Sequence, residues 1–233
     1  MQITVTGDAK RGIQPDQITA SAVFEVHADT YDDALHNGIT AVKDYLGFIA
    51  ENTDFNFEDF KTRAYSVRER FITNRIEPKT MEDLEKNLTK TISNGFDFSQ
   101  YVYVEFDFNR ERLARLLALT SKQENAPRFH IEFGLKDPKA YQRGLIGEAY
   151  HDAQRKAETL AAAADKHLRD CIHVDIDQVA HNEHFYGERS FAKASASYDT
   201  GRVEEEIKAI DETFQPDPIY VYKSISAVWE TSD

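Results

Sequence analysis

The stretch Ile18-Thr19-Ala20-Ser21-Ala22-Val23-Phe24-Glu25-Val26-His27-Ala28-Asp29-Thr30-Tyr31-Asp32-Asp33-Ala34 contains the change of period that decides the fold class. Up to Val26, Ile18, Ala20, Ala22, Phe24 and Val26 alternate with Thr19, Ser21, Glu25 and His27, as in a strand with one wet face. From Thr30 the pattern is helical. Thr30 is an N-cap, Asp33 follows three residues on as in a capping box, and Leu35, Ile39, Val42, Leu46 and Ile49 recur at steps of three and four. A strand with one apolar face belongs in an antiparallel sheet, and a helix with one apolar stripe must cover such a face.

Working outward, the same alternation recurs. Gln2-Ile3-Thr4-Val5-Thr6 reads as an opening strand, and residues 62–76 read as extended. Thr80 with Asp83 predicts the start of a short helix. Val102, Val104, Phe106 and Phe108 alternate with Tyr101, Tyr103, Glu105 and Asp107. Asn109 caps a helix carrying Leu113, Leu116 and Leu117, and Phe129, Ile131, Phe133 and Leu135 form a further strand.

Asp137-Pro138 is an N-cap followed by proline at the first helical position, where its missing N–H costs nothing. The pattern predicts a helix from there to about Arg169. Ala149, Ala153, Ala157, Ala161, Ala164 and Leu168 share one side, and Asp152–Lys156 and Asp165–Arg169 form pairs on the wet side. Gly144 and Gly147 weaken its first turns. Ile172, Val174 and Ile176 make a short strand. Residues 180–217 are polar and irregular, with one helix near Val203–Ile210. Ile219, Val221, Ile225, Ala227 and Trp229 face one way in a closing strand. The fold class expected is α+β: antiparallel sheet of about seven strands covered by at least three helices, in one domain 1–233 with an excursion at about 180–217.

A net charge of −13 repels phosphate backbones, so nucleic acid is disfavoured as a partner. The densest basic stretch, Arg63, Arg68, Arg70, Arg75 and Lys79, is interrupted by Glu69 and Glu77 and reads as a solvated strand. Cys171 is alone, which precludes an intrachain disulfide and agrees with a reducing cytoplasm. No apolar run reaches about 18 residues, so no membrane insertion is expected. Met1 leads straight into a strand, so an export signal is not expected either.

The search for chemistry returns no site. Gly7 and Gly12 have the spacing that opens a phosphate-binding loop, but Ile13-Gln14 stand where Lys-Ser/Thr is needed. Cys171, at a helix-to-strand junction, reads as a buried structural thiol. His181-Asn182-Glu183-His184 puts two histidines on one helical face, with His173 nearby, but a zinc site needs three or four ligands. His130-Ile131-Glu132 has the ligand spacing of a zinc deaminase without its Pro-Cys-x-x-Cys partner. Glu204-Glu205-Glu206 reads as a solvated helix face. No catalytic, cofactor-binding or metal-binding residue is assigned.

Several pieces in order resemble the SIMPL-domain family. They are Ile3-Thr4-Val5-Thr6-Gly7, Pro15-Asp16 before the second strand, and Thr30-Tyr31-Asp32-Asp33-Ala34. The most specific is Ala149-Tyr150-His151-Asp152-Ala153-Gln154-Arg155-Lys156-Ala157-Glu158-Thr159-Leu160-Ala161, followed at a distance by Pro218-Ile219-Tyr220-Val221. The family comprises bacterial and some eukaryotic proteins, largely of unassigned function and in part kinase-interacting-protein-like. The resemblance implies an α+β fold and self-association as a homo-oligomer, and no catalytic residue. It departs in two places: many bacterial relatives carry an export signal, and Lys166-His167-Leu168-Arg169-Asp170 replaces the usual glycine-containing turn. The expectation is a cytoplasmic, non-enzymatic, self-associating or scaffold protein without a cofactor, in the periplasm or envelope only if an export segment has been removed. Its protein partner is not identified. The alternative is a metal- or small-ligand-binding protein, conceivably a hydrolase, using residues 171–191.

Overall fold

In chain order the elements are β1 (Gln2–Ile13), β2 (Gln17–Ala28), α1 (Tyr31–Asn52), β3 (Lys61–Arg75), β4 (Thr89–Asp107), α2 (Arg110–Thr120), β5 (Arg128–Gly134), α3 (Pro138–Gly144), α4 (Ile146–Ala163), β6 (His167–Asp175), β7 (Gly187–Ser190) and β8 (Ile219–Ser232), with a 3-10 turn at Phe57–Asp59. This computed structural model describes residues 1–75, 89–123, 126–176, 187–190 and 215–232. The helix expected from Thr80 lies outside them, as does the 180–217 excursion apart from β7 and residues 215–217. The architecture is α+β with two open antiparallel sheets, ordered β1-β8-β6 and β3-β4-β2-β5-β7. The chain divides into one unit of Met1–Gln17, Phe133–Glu188 and Pro216–Asp233, and another of Ile18–Glu132 and Arg189–Gln215.

In the first unit β1 and β8 pair without interruption from Gln2↔Glu230 to Ile13↔Ile219. Ala149, Ala153, Ala157 and Ala161 of α4 pack with Ile3, Ile225, Ala227 and Trp229 to form its core. Side chains this small let the helix axis come close to the sheet. A Cβ on Gly7 of β1 would stand 2.0 Å from the Ala149 carbonyl oxygen and 2.5 Å from the Ala153 nitrogen. Leu135, Leu145, Ile219 and Val221 form a second cluster.

The helix expected to run from Pro138 to about Arg169 is instead two helices, interrupted at Leu145 and ended at Ala163. Asp137 does cap it, accepting from the Ala140 N–H at 2.8 Å. The stop comes from Asp165, whose φ of 54° is left-handed. The Lys166 N–H then reaches the Ala161 carbonyl at 2.9 Å and the Asp165 N–H the Ala162 carbonyl at 3.1 Å. This is the Schellman closure, with the short polar aspartate in the glycine position. The Asp165–Arg169 helical pair is therefore absent, because Arg169 already belongs to β6. That strand begins earlier than expected and ends at Asp175, before Ile176; Ile172, Val174 and Ile176 are exposed, and Cys171 is partly rather than fully buried within the strand.

In the second unit α1 starts as expected, with the Thr30 hydroxyl accepting from the Asp33 N–H at 3.2 Å. Its buried stripe is Ala34, Gly38, Val42, Tyr45, Leu46 and Ile49, whereas Ile39 is exposed. The stripe starts on small residues because the fully buried Phe98 ring presses there; a Cβ on Gly38 would lie 2.2 Å from it. The wet face expected for β2 is dry in its first half, where Thr19 and Ser21 are buried. Ser21 Oγ accepts from the Tyr101 hydroxyl at 2.7 Å, which makes that burial tolerable.

Candidate interaction surface

β3 and β4 form a long antiparallel ribbon, in register from Lys61↔Tyr103 to Arg75↔Thr89. Two irregularities interrupt it. At the first, Arg63 is the extra residue on β3, and its guanidinium lies 5.3 and 4.9 Å from the centroids of the Tyr101 and Tyr103 rings. At the second, between Glu69↔Phe96 and Phe71↔Ser93, the extra residue is on β4, and Gly95 there has φ 79°. This is a glycine bulge, and it sits against the last residue of β2: a Cβ on Gly95 would be 2.4 Å from the Ala28 carbonyl oxygen.

β2 thus ends beside Gly95, while β3 and β4 continue to Arg75 and Thr89. None of residues 61–73 is buried. Tyr65 is 60% exposed, Phe71 59% and Ile92 36%. A two-stranded ribbon is marginal in water, and large apolar side chains on one are costly to leave wet. Asp97 ties the ribbon near its bulge: His27 Nδ1 lies 2.7 Å from Asp97 Oδ1 and Arg70 Nη1 3.8 Å away. These groups are half exposed, so each pair contributes below about 1 kcal/mol.

A polar network lies in the other unit. Lys156 Nζ donates to the Thr6 carbonyl at 2.9 Å and to Asp8 Oδ2 at 3.1 Å, and sits 2.7 Å from Asp152 Oδ2. The Asp8 N–H donates to Asp152 at 3.0 Å, and Ser224 Oγ to Asp8 Oδ1 at 2.6 Å. Through Thr6 and Asp8, α4 therefore satisfies backbone groups on the outer edge of β1, where another strand would otherwise attach.

The Ser224 hydroxyl, and after it Lys156, hold the Asp8 carboxyl below its ordinary value; Lys156, and then the Asp8 N–H, do the same for Asp152. Hydrogen bonds to Asp152 and Asp8 raise Lys156. Depressed carboxylates stabilise the fold fully above their ordinary value of 3.8 and lose that contribution as pH falls below it. The raised lysine stabilises fully below its ordinary 10.5 and loses its contribution as pH rises beyond. Urea midpoints of wild type and Lys156→Met, followed by Trp229 fluorescence, should therefore converge on acidification below about pH 4. A gap that stays constant would show that the network carries no linkage.

The family model described as "SIMPL: Protein of unknown function (DUF541)" matches residues 3–229. The chain belongs to the SIMPL family. Among curated proteins, none matches it.

In this SIMPL chain the residues singled out from sequence do not converge among those described. His173 is exposed on β6, and His181, Glu183 and His184 lie outside the described residues. His130 Nε2 and Glu132 Oε1 are 3.2 Å apart on β5, a pair rather than a ligand set. Among the described residues no group of three His, Cys, Asp or Glu is placed to hold a metal. Cys171 neighbours Tyr150, whose phenol is pushed up by burial and then by that thiol. A cleft of about 530 Å³ is lined in part by Val26, His27, Asn37 and Pro127; its Glu25 and Arg128 are ion-paired to each other. Among the described helices none is long and apolar enough to cross a membrane. Sequence reasoning passed over Phe71 and Ile92, although the extended reading of residues 62–76 was a usable signal for the former.

Proposed function

We propose that this SIMPL protein works without catalysis, as an interaction or scaffold protein, self-associating through the β3–β4 ribbon or binding a partner there. The observation that carries this reading is the ribbon itself: a strand with no buried residue from 61 to 73, bearing Tyr65 and Phe71, opposite a strand bearing Ile92. Burying one large apolar side chain contributes about 1.5–3 kcal/mol; Tyr65 and Phe71 share one face of the ribbon and Ile92 stands on the other, so each face offers an anchor for a contact.

Light scattering and a pull-down on wild type and on Phe71→Asp/Ile92→Asp test it. The wild type should assemble or retain a partner, and the double variant should weaken that association by about 100-fold or more. Trp229 fluorescence and circular dichroism should stay unchanged, since both side chains are exposed. A wild type that is strictly monomeric at working concentration and captures nothing would defeat the reading.

A further inference from the structure

An antiparallel edge strand turns alternate N–H and C=O groups away from its neighbour, and these accept a further strand unless something prevents it. In the three-stranded sheet both outer strands are protected. Asp152 and Lys156 occupy the β1 edge. β6 carries two register irregularities against β8, which break its regularity.

β3 differs. Among the described residues it has a strand on one side only. Its own backbone is regular from Ala64 to Arg75, because the second irregularity of the ribbon lies on β4. The strand is also basic against the trend of the chain: its sequence holds Lys61, Arg63, Arg68, Arg70 and Arg75 and one acidic residue, Glu69, with Asp97 of β4 opposite Arg68 and 3.8 Å from Arg70, in a protein of net charge −13. Arginine on an edge blocks indiscriminate pairing, but what it repels is basic strands; an acidic strand is admitted. Arg68 and Arg70 are exposed and two residues apart, so they point to the same side. Tyr65, Val67 and Phe71 line the other side, with Glu69 between the last two.

We propose that the free edge of β3 takes up an extended acidic segment of a partner protein as an added strand, with alternate carboxylates against Arg68 and Arg70 and the intervening apolar side chains against Tyr65, Val67 and Phe71. This rests on the interaction reading above and names the partner's chemistry. Backbone pairing supplies attachment and the arginines supply selection, the division of labour of strand addition. The segment is acidic because the site is basic; a second copy docking through β3 itself would bring five basic residues against five.

Fluorescence anisotropy with a labelled Val-Glu-Val-Glu-Val-Glu-Val peptide and the full chain tests this. The peptide should bind, and binding should weaken about tenfold or more in Arg68→Gln/Arg70→Gln and on raising salt from about 0.05 to about 0.5 M. Val-Lys-Val-Lys-Val-Lys-Val should not bind. Neither should Pro-Glu-Pro-Glu-Pro-Glu-Pro, which keeps the charge but lacks the N–H groups that a strand needs. Equal binding of the proline peptide would overturn strand addition in favour of simple charge attraction. Absence of binding by the valine–glutamate peptide would overturn the proposal outright. Light scattering on the same samples keeps the two questions apart: an oligomer lost in Phe71→Asp/Ile92→Asp, with no peptide bound, preserves the interaction reading while rejecting the acidic partner.

Discussion

Gly7→Ala is expected to lower the stability of the β1–β8–α4 unit by about 3 kcal/mol or more, at the upper end for overpacking a core. The added Cβ would stand 2.0 Å from the Ala149 carbonyl oxygen and 2.5 Å from the Ala153 nitrogen. Both are helix backbone, so no rotamer change relieves the clash and α4 has to move away as a body. That movement also stretches the Asp8–Asp152 and Lys156–Thr6 hydrogen bonds, now 3.0 and 2.9 Å. Trp229 is the chain's only tryptophan and is buried in the same core, so its fluorescence reports this unit. With a urea dependence of about 1–3 kcal/mol per molar, the midpoint should fall by roughly 1–3 M. Gly147→Ala is the matched control: nothing lies within 4 Å of its Cβ, and it should gain up to about 1 kcal/mol of helix propensity. Equal behaviour of the two variants would show that α4 does not depend on close approach at Gly7.

Gly95→Ala is the second large effect, of about 3 kcal/mol in the β2–β3–β4 region. It combines two costs. A φ of 79° is left-handed, where an L side chain loses about 1–2 kcal/mol. The new Cβ would also meet the Ala28 carbonyl oxygen at 2.4 Å and the His27 ring at 3.0 Å. The bulge must then flatten or β2 must withdraw, and either change loosens the ribbon that carries Phe71 and Ile92. Amide exchange in residues 96–102 of β4 should accelerate by roughly 100-fold. Gly47→Ala in α1, whose Cβ meets nothing within 4 Å, should leave those amides unchanged. Unaltered exchange in Gly95→Ala would mean that the bulge accepts a side chain after all.

Much of the fold was legible because its signals are local. Thr30, Asn109 and Asp137 each cap the helix they were expected to cap, since capping needs only a side-chain oxygen within three residues of an N–H. The alternation in Ile219–Trp229 and the alanine face of α4 were readable for the same reason: period and side-chain size are written along the chain. The family, too, was visible in those structural motifs, and its model covers nearly the whole chain.

The errors also have physical causes. The α1 stripe of Leu35, Ile39, Val42, Leu46 and Ile49 holds for its last three residues, but at its start Ala34 and Gly38 are buried instead of Ile39, and Gly38 makes room for Phe98, sixty residues away. The dry polar face of β2 depends on Tyr101 reaching Ser21. The candidate interaction surface is half legible: residues 62–76 read as an extended, basic, solvated strand, but which strand flanks it is a matter of sheet order, which no local pattern carries.

The sequence by itself determined the antiparallel α+β class, the caps, the closing strand, and the want of a catalytic motif, all of which follow from period, residue type and spacing. Only the tertiary structure decided that β1 has its outer edge occupied by Asp152 and Lys156 while β3, among the described residues, is paired on one side. That distinction turns on backbone groups, which every residue carries alike, and on partners some 150 residues distant, so no local pattern records it.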